Sequence, residues 1–161
     1  MTTEVTEDME LFLSYAKVFL VSMIPVLELR AAIPLGVAGG LPLWSVIVVA
    51  IAGNLFPIPF ILIFLKKIFE LMRKHSKIGA RIVAWLEARA AKKGERLYRS
   101  VVFGLFLLVA IPLPGTGAWT GALVARVFDI RARVALPAIA AGVAAAAVLT
   151  SLITYGVTAL F

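Results

Sequence analysis

The chain has 161 residues, 62% of them hydrophobic, and a mean hydropathy of +1.03. Soluble domains are usually about 45–50% apolar, so this composition excludes an ordinary soluble domain and points to an integral membrane protein of a few spans. The absence of cysteine excludes disulfides, thiolate metal sites and thiol catalysis, and a lone histidine, His75, argues against a histidine metal cluster or a Ser-His-Asp triad; no metal and no cofactor is expected.

Residues 1–10 form an acidic N-terminal tail carrying Glu4, Glu7, Asp8 and Glu10, unlike the basic start of a cleavable signal peptide. An apolar run from Leu11 to Ile24 follows, interrupted only by Lys17, which is expected to snorkel, and stopped by Pro25. As a helix this run covers about 21 Å, short of the roughly 30 Å hydrocarbon core. A second short segment, Val26 to Ala38, leads into Gly39-Gly40-Leu41-Pro42. Residues 43–65 carry no charge and are long enough to span, with Trp44 as an expected interface anchor.

Residues 66–100 hold eleven of the sixteen Lys/Arg residues against three acids, a local net charge of +8 within a chain of net charge +7. Apolar residues at Ile68, Leu71 and Met72, then at Ile78, Ile82, Val83 and Leu86, predict amphipathic helix in two pieces meeting near Ser76–Gly79. Beside membrane spans, such a block reads as a cytoplasmic segment facing anionic headgroups; no nucleic-acid partner is expected.

The pattern then returns. A short apolar run, Val101 to Ile111, is stopped by Pro112, Pro114 and Gly115, and Thr116 to Val127 forms another short piece, so residues 101–128 parallel residues 11–41. Residues 134–160 form a long uncharged segment whose Ala138, Ala141, Gly142 and Ala145 suit close helix packing. The chain thus reads as two repeats, 11–65 and 101–161, aligned at an offset of 87 by Ile24-Pro25 on Ile111-Pro112 and Ala31 on Ala118.

Each short pair of segments is either one kinked span or a hairpin that enters and leaves on one side. With residues 66–100 in the cytoplasm, a hairpin at 11–41 leaves the acidic end outside, and a hairpin at 101–128 keeps Arg126, Arg131 and Arg133 with the cytoplasmic cations. The expected fold is therefore an all-α integral membrane protein of the cell membrane with two inverted repeats. Each is a re-entrant hairpin plus a transmembrane helix, 43–65 or 134–160. Inverted repeats with broken helices at the midplane are transporter architecture, and two spans enclose so little that a homodimer is expected.

The stretches "PVLELRAAIPLG" and "IPLPGTGAWTGALVA" carry a resemblance that covers nearly the whole chain. They resemble the small multidrug export family of prokaryotic membrane proteins. That family is similar to the DedA superfamily of re-entrant-loop proteins, which includes VTT-domain lipid scramblases. The E-x-R-x-x-x-P-x-G element, Glu28 to Gly36, is the most specific part. The resemblance implies efflux or lipid-phosphate movement, proton coupling, and importance for Glu28 in the first hairpin and an arginine near the second, where Arg126 follows the hairpin.

The chemistry centres on Glu28, because an ionisable group at membrane depth costs about 2.5–3.5 kcal/mol on insertion scales and is usually functional or paired. It reads as a proton or substrate site, or as one half of a structural ion pair with Arg30 or Arg126. Residues two apart on a regular helix do not meet, so a Glu28–Arg30 pair needs unwound chain. Arg30 suits a phosphate or a carboxylate partner. Asn54 reads as interhelical glue or a substrate contact, and Thr116 and Thr120 can offer hydroxyls beside a helix N-terminus. Trp119 lines a cavity or packs, and Asp129 marks a boundary. Pro25, Pro34, Gly36, Pro112, Pro114, Gly115 and Gly117 are the expected hairpin breaks.

The leading functional reading is a proton-coupled secondary transporter of a small molecule, with a midplane site between the hairpins. The alternatives are a phospholipid or polyprenyl-phosphate flippase or scramblase, and a non-transporting scaffold in contact with the lipid bilayer. An enzyme is not expected, because HExxH and G-x-S-x-G elements and a membrane-depth aspartate pair are missing from the sequence.

Overall fold

The computed structural model describes residues 2–75, 81, 84, 95–113 and 115–158, and all regular structure among them is helical. The helices are α1 (Thr2–Met23), α2 (Glu28–Ala38), α3 (Leu43–Leu55), α4 (Ile58–His75), α5 (Glu95–Ala110), α6 (Ala118–Val127) and α7 (Ala132–Thr158). The expected helical junction near Ser76–Gly79, and Pro114, lie outside the described residues. Residues 2–10 continue into the first apolar run as the opening turns of α1.

Prolines set several of the element ends. Pro25 has no N–H to extend α1, and the chain turns through residues 24–27, with Val26 at φ +77° and Glu28 at φ +48°. A β-branched residue at positive φ is strained, and that strain is localised where the chain aims Glu28 inward. Residues 43–65 do not form one unbroken helix. Pro57 and Pro59 remove two donors from the helical ladder, and α3 gives way to α4 at Phe56–Pro57. The composite Leu43–Ile68 and the segment Ala132–Gly156 are each long and apolar enough to cross a membrane.

Two expected breaks are corrected. Pro34 and Gly36 both lie inside α2. Packing overrides the local cost of Pro34, because Leu29, Ala32 and Ile33 are buried around it. Gly36 is a contact position: a Cβ there would lie 2.7 Å from Val46 Cγ1 and 2.9 Å from Val18 Cγ2. The second hairpin's return helix begins at Ala118, two residues later than the apolar run implied.

Helix α1 packs on α2 and α3, and α5 packs on α6 and α7. Helix α2 also packs on α7, α6 also packs on α4, and α3 meets α7 at the centre. Close approach uses small residues: a Cβ on Gly53 would lie 2.5 Å from the Phe19 carbonyl oxygen, and one on Gly142 would lie 2.9 Å from that of Phe106. Both α2 and α6 end in the same hydrogen-bonded turn. Leu41 N–H reaches Gly36 O at 3.1 Å and Gly40 N–H reaches Val37 O at 3.0 Å; Ile130 N–H reaches Ala125 O at 2.8 Å and Asp129 N–H reaches Arg126 O at 3.1 Å.

These landmarks recur at a common spacing. Gly40 and Asp129, both at positive φ, are 89 residues apart. So are Gly53 and Gly142, and so are Leu43 and Ala132 at the starts of α3 and α7. The offset of 87 holds for Ile24-Pro25 on Ile111-Pro112 but not for Ala31 on Ala118: beyond the turns the offset is 89, which brings Ala31 level with Thr120, because the loop between α5 and α6 is longer than that between α1 and α2. On the outside, Phe12, Trp44, Phe60, Phe64 and Leu152 are 62–76% exposed. Such apolar exposure suits hydrocarbon as the surrounding solvent.

Candidate functional site

The turn between α1 and α2 delivers Glu28 and Arg30 to the loop between α5 and α6. Glu28 is only 3% exposed. Its carboxylate sits on the N-terminus of α6, where the Trp119 N–H donates to Oε1 at 3.4 Å and the Ala118 N–H also faces it. The first N–H groups of a helix have no intrahelical acceptor and carry partial positive charge, so this is a matched seat for an anion.

Gly117 makes the seat possible. A Cβ at this position would lie 2.1 Å from Glu28 Oε2 and 2.5 Å from its Cδ, so only glycine leaves room for the carboxylate. Gly117 also has φ +137°, a conformation that L side chains rarely adopt.

Asn54 on α3 faces the same carboxylate and is fully buried. Neither its amide nitrogen nor its amide oxygen has a hydrogen-bond partner among the described residues. A buried unsatisfied polar group costs about 1–3 kcal/mol, and the carboxyl group of Glu28 is the polar partner that Asn54 faces. One turn back along α1, Ser22 is buried and donates to Phe19 O at 2.7 Å.

Arg30 has a different task. Its Nη1 donates to Leu113 O, and its Nη2 lies 2.9 Å from Thr116 Oγ1 and 3.4 Å from Ile111 O. The Thr116 hydroxyl is also 2.9 Å from both Ile111 O and Leu113 O, donating to one at a time, and it accepts from Leu113 N–H at 3.3 Å. The guanidinium thus clamps the second loop, and no ion pair joins it to Glu28 among the described residues. Trp119 adds a strut, its indole Nε1–H donating to Met23 O at 3.2 Å.

Beside this junction lies an open apolar cavity of about 740 Å³, lined by Met23, Phe56, Phe60, Phe64, Trp119 and Leu123 among others. Its size falls within the range of small-molecule sites.

The candidate residues separate accordingly. Glu28, Arg30, Asn54 and Thr116 converge. Thr120 donates its hydroxyl to Gly115 O at 2.9 Å and so braces the loop. Arg126 stands two helical turns from Trp119, roughly 10 Å along α6, and pairs with Asp129 at 3.0 Å instead of Glu28. Pro25, Pro112, Gly115 and Gly117 occupy the turns. The Ala118 and Trp119 N–H groups, the Met23 carbonyl and Ser22 had no individual sequence signal. A free helix end after Gly115 was the one hint.

Residues 28–149 match the family described as "Putative small multi-drug export protein", and the chain belongs to that family. The match begins at Glu28 itself. No curated protein and no solved structure was found to match the chain. The family assignment together with two helices able to cross a membrane indicates a membrane location.

Proposed function

We propose that the protein is a proton-coupled secondary transporter that exports a hydrophobic small molecule across the cell membrane, working as a homodimer with residues 66–100 cytoplasmic. The observation that carries this reading is the Glu28 carboxylate, buried at a junction of broken helices and hydrogen-bonded to backbone N–H groups, with Arg30 near enough to act on it through its charge but not ion-paired with it. A carboxyl group held this way can exchange between proton and substrate without dismantling an ion pair.

The architecture is read as two inverted copies of one hairpin-plus-span unit. Its support is the spacing of 89 between matched landmarks, and the reciprocal packing of α2 on the second long segment and α6 on the first. Glu28 and Gly117 are themselves 89 residues apart and touch. Equivalent positions touch only near a symmetry axis, so the carboxylate lies where two alternating halves would meet.

The apolar cavity favours a hydrophobic solute over a phosphate headgroup. The flippase or scramblase reading would use Arg30 as the headgroup ligand, and both Nη atoms of Arg30 are engaged by the 111–116 loop.

The test is proton-gradient-driven movement of ethidium in proteoliposomes. Wild-type protein should move the dye, and Glu28→Gln should reduce that movement to background. The fold should persist, with a stability change within about 1.5 kcal/mol, because Gln retains one acceptor for Trp119 N–H. Gradient-driven transport that survives in Glu28→Gln would remove the carboxylate from the mechanism.

A further inference from the structure

The chain contains one asparagine and no glutamine, so Asn54 is its only side-chain carboxamide. That group is fully buried and faces Glu28, the one buried acid among the described residues. Asn54 sits one residue inside the end of α3, where Pro57 and Pro59 break the span Leu43–Ile68. Its neighbour Gly53 is pressed against α1, where Ser22 spends its hydrogen on Phe19 O at 2.7 Å. No hydrogen bond from another described residue fixes either edge of the amide. It can therefore present its NH2 or its oxygen to Glu28 by turning about χ2.

The two forms of a carboxyl group ask for opposite edges. A carboxylate only accepts, so it draws the amide NH2 and repels the amide oxygen. A protonated carboxyl has an O–H to give, and an amide oxygen accepts it. The backbone N–H groups of Ala118 and Trp119 cannot follow this change, because they are donors in both states. Arg30 cannot follow it either, being a donor only and held by Leu113 O and Thr116. Of the groups that act on this carboxyl, Asn54 alone can answer both of its forms.

We propose that Asn54 is the positioning residue that reads the protonation state of Glu28. Its NH2 edge faces the carboxylate; when a carboxyl oxygen takes up a proton from solvent, the amide turns and its oxygen accepts the new O–H. The amide itself neither gains nor loses a proton. The turn occurs beside the break of the first span, so protonation at the α1–α2 turn is felt at the joint between α3 and α4. The inference rests on the transport reading of Glu28 and deepens it.

The surroundings leave the signal to this pair. Helix α3 has no titratable residue. Of the helices packed on it, α1 brings Lys17, the acids of its opening turns, and Tyr15, which is engaged with Ser45 at 2.8 Å. Helix α7 brings Arg133 in its first turn and Tyr155 in its last, and α4 carries its first charge at Lys66. The charge that acts on Glu28 is that of Arg30, on its own helix.

The test is an NMR pH titration of the full chain in neutral detergent, with isotope-labelled asparagine and glutamate. One pair of asparagine NH2 signals is expected, and the Glu28 Cδ signal is assigned by its loss in Glu28→Gln. The Asn54 pair should move with the same midpoint as Glu28 Cδ, and should stay in place in Glu28→Gln. A Cδ signal that titrates beside a stationary Asn54 pair would overturn the proposal and leave the transport reading standing. A Cδ signal that does not titrate would sink both. Movement of the pair that persists in Glu28→Gln would also refute the proposal. Transport supplies a readout that does not depend on that variant. Asn54→Leu removes polar atoms that have no further partner, so it should unfold no lower than wild type. It should nevertheless move ethidium about tenfold more slowly, the weight of one hydrogen bond to a charged group. A stable Asn54→Leu protein with the wild-type rate would show that the amide is not read.

Discussion

The two hairpins are built to similar plans and contribute opposite chemistry. The turn between α1 and α2 brings side chains, Glu28 and Arg30, on a backbone strained at Val26 and Glu28. The loop between α5 and α6 has no charged residue from Ile111 to Thr120 and brings backbone instead: N–H groups at Ala118 and Trp119, carbonyls at Ile111 and Leu113, and the vacant Cβ position of Gly117. Glu28 and Arg30 each find a backbone pole of the second hairpin, the carboxyl group on N–H and the guanidinium on C=O. The lesson is that two turns 89 residues apart in the chain can meet as a key and a lock. A buried carboxyl group is then held by backbone N–H groups instead of by an ion-paired side chain.

The most severe way to break this arrangement is Gly117→Ala. The new methyl would occupy the carboxylate's place and would force a side chain onto φ +137°. Backbone strain of about 1–3 kcal/mol and overpacking of about 1–3 kcal/mol both apply. The expected loss is therefore about 2–6 kcal/mol, measured by thermal unfolding in detergent, with ethidium transport at background. A variant as stable as wild type would mean that Glu28 leaves the α6 N-terminus easily and that the seat is not specific.

Parts of this site were legible in the sequence for local reasons. A lone acid and arginine in an apolar run stand out on cost alone, and Pro25 and Pro112 stand just beyond the ends of α1 and α5. Other parts were not legible, because they depend on contacts far apart in the chain. Gly117 reads as a turn residue until Glu28, 89 positions earlier, is placed against it. Pro34 reads as a break until the buried faces of Leu29, Ala32 and Ile33 show that packing holds α2 together around it. Arg126 lies only seven residues after Trp119 in sequence, yet two turns of α6 carry it to a different cavity.

A milder way to break the comparison is Arg30→Met, which keeps the length of the side chain and removes its donors. Hydrogen bonds to a charged group are worth about 1.5–3 kcal/mol, and the carbonyls of Ile111 and Leu113 would lose theirs. Stability should fall by about that amount. Hydrogen exchange should quicken in residues 111–117 more than in α1 or α3, because the clamp acts on that loop. Unchanged exchange there would show that Arg30 is not what holds the loop, and would return it to the pool of candidate substrate ligands.

The smallest expected effect comes from Thr116→Val, which is close to isosteric. The hydroxyl accepts a hydrogen bond from Arg30 Nη2 and donates one to either of two carbonyls at 2.9 Å, so it ties the guanidinium to the loop. Its loss should cost about 1 kcal/mol, since Arg30 keeps its bond to Leu113 O and the carbonyls retain other donors. In combination with Arg30→Met the two losses should add to less than their sum, because both remove the same contact. A double-mutant cycle read by thermal unfolding measures that coupling. Strict additivity would mean that Thr116 shapes its own loop independently of the first hairpin, and the lock would then be preformed before the key arrives.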